Sequence, residues 1–255
     1  LDPTVKKHWK KAGIMIIGGP LILTFYAVVL GWVFYYLAIV SFNLPNTIEA
    51  SNNTFGAFVS DNVLASSASF GVCIFLTGYI VAKGVKDGLE KYNFILMPLL
   101  FIIFIGLFFY AMTVDSFGQA VDFLFSFNMN AINTDVIIMA LSQMFFSLSI
   151  GVGTIITYSS SAKKGDNLLS SSAWVALSGI VISLIAGIII FTFLFNYGQS
   201  ASSGPGMLFK SIPLVFSQMA YGNIVSFLFF AAVLFAGITS TISILEPPVA
   251  YLSDN

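Results

Sequence analysis

The stretch Gln143-Met-Phe-Phe-Ser-Leu-Ser-Ile-Gly-Val-Gly153 lies within an uncharged apolar run, Val136 to Tyr158, that is long enough to cross a bilayer. Its middle holds Ser147, Ser149, Gly151 and Gly153. Glycine is a poor helix former, and serine side chains compete for backbone hydrogen bonds. A spanning helix weakened at this depth must recover its backbone hydrogen bonds from protein, water or a ligand. The spacing therefore predicts a helix broken at the membrane midplane, a device by which membrane proteins can expose carbonyls and helix ends to ions and substrates.

The rest of the chain is built to match. Of its 255 residues, 58% are hydrophobic and only 8% charged, whereas soluble domains carry roughly 25% charged residues. Apolar segments at 14–42, 69–81, 93–112, 136–158, 168–195 and 224–251 read as six spans, the second of them short. All ten basic residues are lysines. Lys6, Lys7, Lys10, Lys11, Lys83, Lys86, Lys91, Lys163 and Lys164 fall on one side of alternating crossings, and Lys210 on the other. The excess of positive charge makes the first side cytoplasmic. Both chain ends then lie in the cytoplasm, and a cell (inner) membrane is the expected location. The chain opens with Leu1 and reads as an internal piece of a larger protein. No basic patch with interleaved aromatics points to nucleic acid. Cys73 lies in an apolar run and reads as a packed thiol.

Three connections carry structure of their own. The Ser- and Asn-rich loop 43–68 suits a wet surface, and 83–91 reads as a short amphipathic cytoplasmic helix. The loop 115–135 mixes Phe and Leu with Asn and Asp and should pack on the outer surface. In 199–223, Gly204-Pro-Gly206 and Pro213 punctuate apolar residues at helical spacing. Two short amphipathic helices lying across the outer face are expected, as a lid or as plain surface packing.

The last span contains Ala236-Gly-Ile-Thr-Ser-Thr-Ile-Ser-Ile244, followed by Glu246-Pro247-Pro248. Hydroxyls in membrane helices often only bond back to their own carbonyls or join helices. A cluster of them also offers neutral oxygens to a hard cation. His8, among lysines, reads as solvated, and Glu246 lies near enough to the cytoplasmic end to reach water. No His or Cys pair, carboxylate dyad or HExxH motif stands in the apolar segments, and an intramembrane nucleophile would need a base. An enzyme is not indicated.

The run Gln143–Tyr158 resembles the broken sixth helix of neurotransmitter:sodium symporters. Ala236–Glu246 resembles their eighth helix, Tyr26 followed by Trp32 their third, and Gly204-Pro-Gly with Phe216-Ser-Gln-Met219 the loop before the eighth. The resemblance implies an all-α, polytopic helical bundle of the inverted-repeat leucine-transporter type, covering helices three to eight of a bacterial-type member. The absent helices of the same transporter would complete it. The implied activity is sodium-coupled symport of an amino acid by alternating access. A non-transporting binding or regulatory protein on the same scaffold is the alternative.

Residue roles follow from the same resemblance. Tyr26 matches the tyrosine that binds the substrate carboxylate, and Phe146 the aromatic gate above the substrate. Ile22, Ser147, Ser149, Val152, Ser240 and Ile244 match positions around the substrate. Sodium ligands are implied at Ala236, Thr239 and Ser240, and at Ser147. Gly179 stands where the family usually has an Asn or Asp ligand partnering Ser147. Tyr26, Gln143 and Ser183 match positions of a chloride site in animal members, and one serine in an apolar helix does not decide whether chloride is used. Val152 in place of a bulkier residue suits a large apolar or aromatic amino acid.

Overall fold

The computed structural model describes residues 17–151, 153–160, 165, 167–201 and 204–253, and every regular element among them is helical. Val152, His8 and the lysines at 6, 7, 10, 11, 163 and 164 lie outside the described residues. Among the described residues, five helices are long and apolar enough to cross a membrane. They are α1 (Gly18–Ala38), α3 (Val63–Ala82), α4 (Lys91–Met112), α8 (Leu168–Asn196) and α10 (Gly222–Ser253). The short span expected at 69–81 is longer than its apolar run, because Asn62 caps it by accepting a hydrogen bond from the Ala65 backbone N–H at 3.1 Å. Capping satisfies a donor that the helix start would otherwise orphan. α4 runs unbroken through Pro98.

The sixth expected span is built from two pieces. α6 (Thr134–Ser147) and α7 (Thr154–Ser160) are separate helices. At 1.5 Å per residue they measure about 21 and 10 Å, so neither crosses a bilayer alone.

α1 is the axis of the bundle, held between α3 and α10. Small residues set both crossings. A Cβ on Gly31 would meet the Phe70 backbone nitrogen at 2.7 Å and its Cα at 2.8 Å. A Cβ on Gly237 of α10 would meet only the Leu30 side-chain tip. Close backbone approach of this kind is how membrane helices gain packing energy without a hydrophobic effect between them. The difference between the two sites is testable. Gly31→Ala must push one backbone away from another and should cost about 1–3 kcal/mol of overpacking. Gly237→Ala asks only that Leu30 swing aside and should cost less. Thermal unfolding in detergent would rank them.

One end of the bundle is capped by connections, and here the expectation of wet loops is corrected. Within 43–68, α2 (Ile48–Gly56) continues as a wider helical turn, Ala57–Asp61, whose Phe58 is fully buried. In 199–223 the structure has one continuous helical segment in place of two: a wide turn, Met207–Ser211, runs directly into α9 (Ile212–Ser217). Pro213 stands at the second position of α9, directly after the wide turn, and the segment continues through it. Phe209 and Phe216 are fully buried. Phe209 stacks on Phe55 at 5.6 Å and meets Trp32 edge-on at 5.7 Å. Ser51 donates to the Lys210 carbonyl at 2.7 Å, tying α2 to this segment. The connection 115–135 carries α5 (Phe117–Phe125), which lies on α8 through the Phe123–Phe191 contact at 4.9 Å. At 83–91 the chain makes a wide helical turn, Val85–Glu90.

The outer surface is apolar. Leu21, Phe25, Phe75, Phe94, Ile102 and Phe109 are all more than half exposed. The chain exposes 15615 Å², against roughly 11,000 Å² for a compact soluble monomer of its mass. Such faces are stable only against lipid or further helices. This is an all-α, multi-pass membrane protein.

Candidate functional site

The break lies between α6 and α7. Ser149, Gly151 and Gly153 all have positive φ, at 52°, 94° and 83°. Glycine adopts such angles freely, whereas they strain a residue with a side chain such as Ser149. Its backbone N–H still finds the Phe146 carbonyl at 3.1 Å, and Ile150 N–H the Phe145 carbonyl at 3.0 Å. Past the break, Thr157 N–H reaches the Gly153 carbonyl at 3.0 Å. Thr154, at the start of α7, is buried, and its hydroxyl finds no hydrogen-bond partner among the described residues.

α7 packs against α10, the helix that carries the hydroxyl cluster. There Thr239 and Ser240 both donate to the Ala236 carbonyl, each at 2.9 Å. Ser243 donates to the Thr239 carbonyl at 3.0 Å, and Thr241 to the Ile238 carbonyl at 2.8 Å. Hydroxyls that bond back within a helix loosen and bend it. Three oxygens, Ala236 O, Thr239 Oγ1 and Ser240 Oγ, thus meet at one point. A hard cation taking all three would replace the two hydroxyl protons now pointing at Ala236, and those protons would turn away. The donor set fits sodium: all three ligands are neutral oxygens, so the site itself places no fixed charge at that depth. Three ligands are too few for a closed shell, so further oxygens must come from elsewhere.

The remaining residues singled out from the sequence divide into two groups. Ile22 and Ile244 do come together, in a small apolar cluster with Leu23 and Ala27. Tyr26, half-buried on α1, and Ser240 lie on the helices that form this side of the bundle. The α6 residues stand apart. No residue of α6 is buried, and Phe146 is 56% exposed. Gln143 and Ser147 on α6 and Ser183 on α8 are exposed, while Ser149 in the break and Gly179 on α8 are half-exposed. Among the described residues, the first-sodium and chloride positions on α6 and α8 thus lie on exposed or half-exposed faces.

Glu246 is largely covered, at 8% exposed, with Pro247 and Pro248 buried beside it. α7 packs on the same helix, and Tyr158 sets its phenol beside Ser243. Sequence reasoning missed a polar contact between spans. Thr77 of α3 and Thr241 of α10, both fully buried, bring their hydroxyl oxygens to 2.8 Å.

Comparison with known proteins gives concordant results. A model of the sodium:neurotransmitter symporter family matches residues 53–255. An uncharacterized sodium-dependent transporter of Bacillus subtilis is 35% identical over 90% of this chain and 51% of its own length. Another, from Haemophilus influenzae, is 30% identical over 98% of this chain and 56% of its own. The chain thus spans about half the length of these curated relatives. The crystal structure of MhsT in complex with L-phenylalanine superposes with a TM-score of 0.86 at 36% identity, covering 99% of this chain and 58% of that one.

Proposed function

Because this chain belongs to the sodium:neurotransmitter symporter family, we propose that it forms a portion of a sodium-coupled symporter that carries a large apolar or aromatic amino acid into the cell. The single observation that carries the coupling is the turn of α10 where Ala236 O, Thr239 Oγ1 and Ser240 Oγ converge. Sodium held there would sit on a helix that α7 leans against, so cation binding and the broken helix share one wall. The freed backbone of the break is the surface that would be offered to the substrate, with Tyr26 of α1 as the side-chain partner of its carboxylate. Helix ends and unpaired N–H groups favour a carboxylate at such a break. Phe146, exposed at the end of α6, would close over it, and Met207–Ser217 would be the outer lid. The relative solved with L-phenylalanine supports an aromatic or large apolar cargo. With the lysine-rich connections in the cytoplasm, substrate enters from the side capped by α2 and α9.

The test is uptake of radiolabelled L-phenylalanine by liposomes carrying the full-length protein. Uptake should follow an inward sodium gradient and vanish when potassium replaces sodium. Sodium-dependent binding without uptake would instead identify a non-transporting member. For Tyr26→Phe, loss of one hydrogen bond to a charged group, about 1.5–3 kcal/mol, should weaken amino-acid binding about tenfold or more. Unchanged affinity would remove Tyr26 from the site.

A further inference from the structure

We infer that the Thr77–Thr241 pair is a rotational pin that positions the cation site of α10 from behind. The inference rests on the assignment of Ala236, Thr239 and Ser240 as cation ligands. At 100° per residue, those three residues fall within an arc of about 100° on α10. Thr241 falls nearly opposite the middle of that arc. Its hydroxyl oxygen lies 2.8 Å from that of Thr77 on α3, and both side chains are fully buried. Fixing the back of the helix therefore fixes the direction in which its front points.

The hydrogen count makes the contact more than packing. Thr77 Oγ1 also lies 2.9 Å from the Cys73 carbonyl, and Thr241 Oγ1 lies 2.8 Å from that of Ile238. Three short contacts share two protons. The cross-helix bond therefore takes a proton from one of the two back-bonds. When Thr241 donates across, the Ile238 carbonyl loses its hydroxyl donor. Ile238 lies between Ala236 and Ser240, inside the turn that presents the cation oxygens. The direction of one proton on the back of α10 thus bears on the turn at its front. α3 is a suitable anchor, since its backbone is pressed against α1 at Gly31.

The pin makes Thr77 a positioning residue that touches neither cation nor substrate. Sodium chloride is titrated against potassium chloride at constant ionic strength on the full-length protein in detergent, with melting temperature as the readout. A cation that binds the folded state raises that temperature. Hydroxyl pairs between membrane helices contribute about 0.6 kcal/mol on average and up to about 1.7. Thr77→Val and Thr241→Val should accordingly raise the sodium midpoint about three- to eighteenfold. Thr77→Ser and Thr241→Ser, which keep the hydroxyl, should stay within about twofold of the parent. A lower melting temperature in potassium with an unchanged sodium midpoint would make the pair a structural bond only and overturn the inference. So would serine variants as impaired as the valine ones. Thr239→Ala with Ser240→Ala is the separate control. If that double variant keeps the parental sodium midpoint, the cation-site assignment itself falls. If it loses sodium response while Thr77→Val does not, only the pin falls.

Discussion

Replacing Thr239 and Ser240 together with alanine is expected to weaken sodium binding about 100-fold while leaving the helix intact. If each neutral oxygen facing the cation contributes about 1.5 kcal/mol, the low end for a polar group meeting a charge, the pair contributes about 3 kcal/mol. Each 1.4 kcal/mol is a factor of ten. The fold should tolerate the change. Alanine is the better helix former, and the two hydroxyls donate only to the Ala236 carbonyl. Removing back-bonds of that kind straightens a helix more than it unfolds one. Sodium titration by melting temperature, with a circular-dichroism check of helicity, would measure both effects. Parental sodium dependence in a folded double variant would show that the cation is held elsewhere.

The spans and the break were legible in the chain because both are local. An apolar run of twenty residues has few fates, and Ser149, Gly151 and Gly153 cluster where a helix can least accommodate them. Ends of elements were less legible. Val63–Ala68 reads as loop because Ser66 and Ser67 dilute its hydropathy, whereas the cap at Asn62 begins the helix there. The burial of Phe58, Phe209 and Phe216 depends on where α2 and α9 settle, which no local pattern reports. Glu246 illustrates the same limit, since its low exposure is a property of the packed bundle and not of its distance from the helix end. The Thr77–Thr241 contact joins residues 164 positions apart. A threonine in an apolar helix usually just bonds to its own backbone, and Thr77 does that as well. Only the packing of α3 on α10 distinguishes it from the common case. The exposed α6 shows the converse. Its residues are recognisable in the sequence, yet none of them is buried among the described residues.

Gly151→Ala combined with Gly153→Ala is expected to abolish amino-acid binding without destabilising the protein, because it makes the helix stop breaking. Two terms act in the same direction. In the broken form both residues have positive φ, which costs an L-residue about 1–2 kcal/mol each. In a continuous helix each alanine gains about 1 kcal/mol over glycine. The balance moves toward the straight form by about 4–6 kcal/mol, and about 5.5 kcal/mol takes a two-state equilibrium from 1:99 to 99:1. Nothing stands within 4 Å of a Cβ at Gly151, so the effect there is conformational and not a clash. A straight helix would engage the backbone between Ser147 and Thr154 in its own ladder. Ser149, which carries a side chain at positive φ, would be relieved of its strain as well. The measurement is radiolabelled L-phenylalanine binding to the full-length double variant, alongside its melting temperature. Lost binding with an equal or higher melting temperature is the expected pair of results. Retained binding would mean that the open backbone of the break is not what holds the amino acid, and the substrate site would have to be sought on α1 and α10 alone.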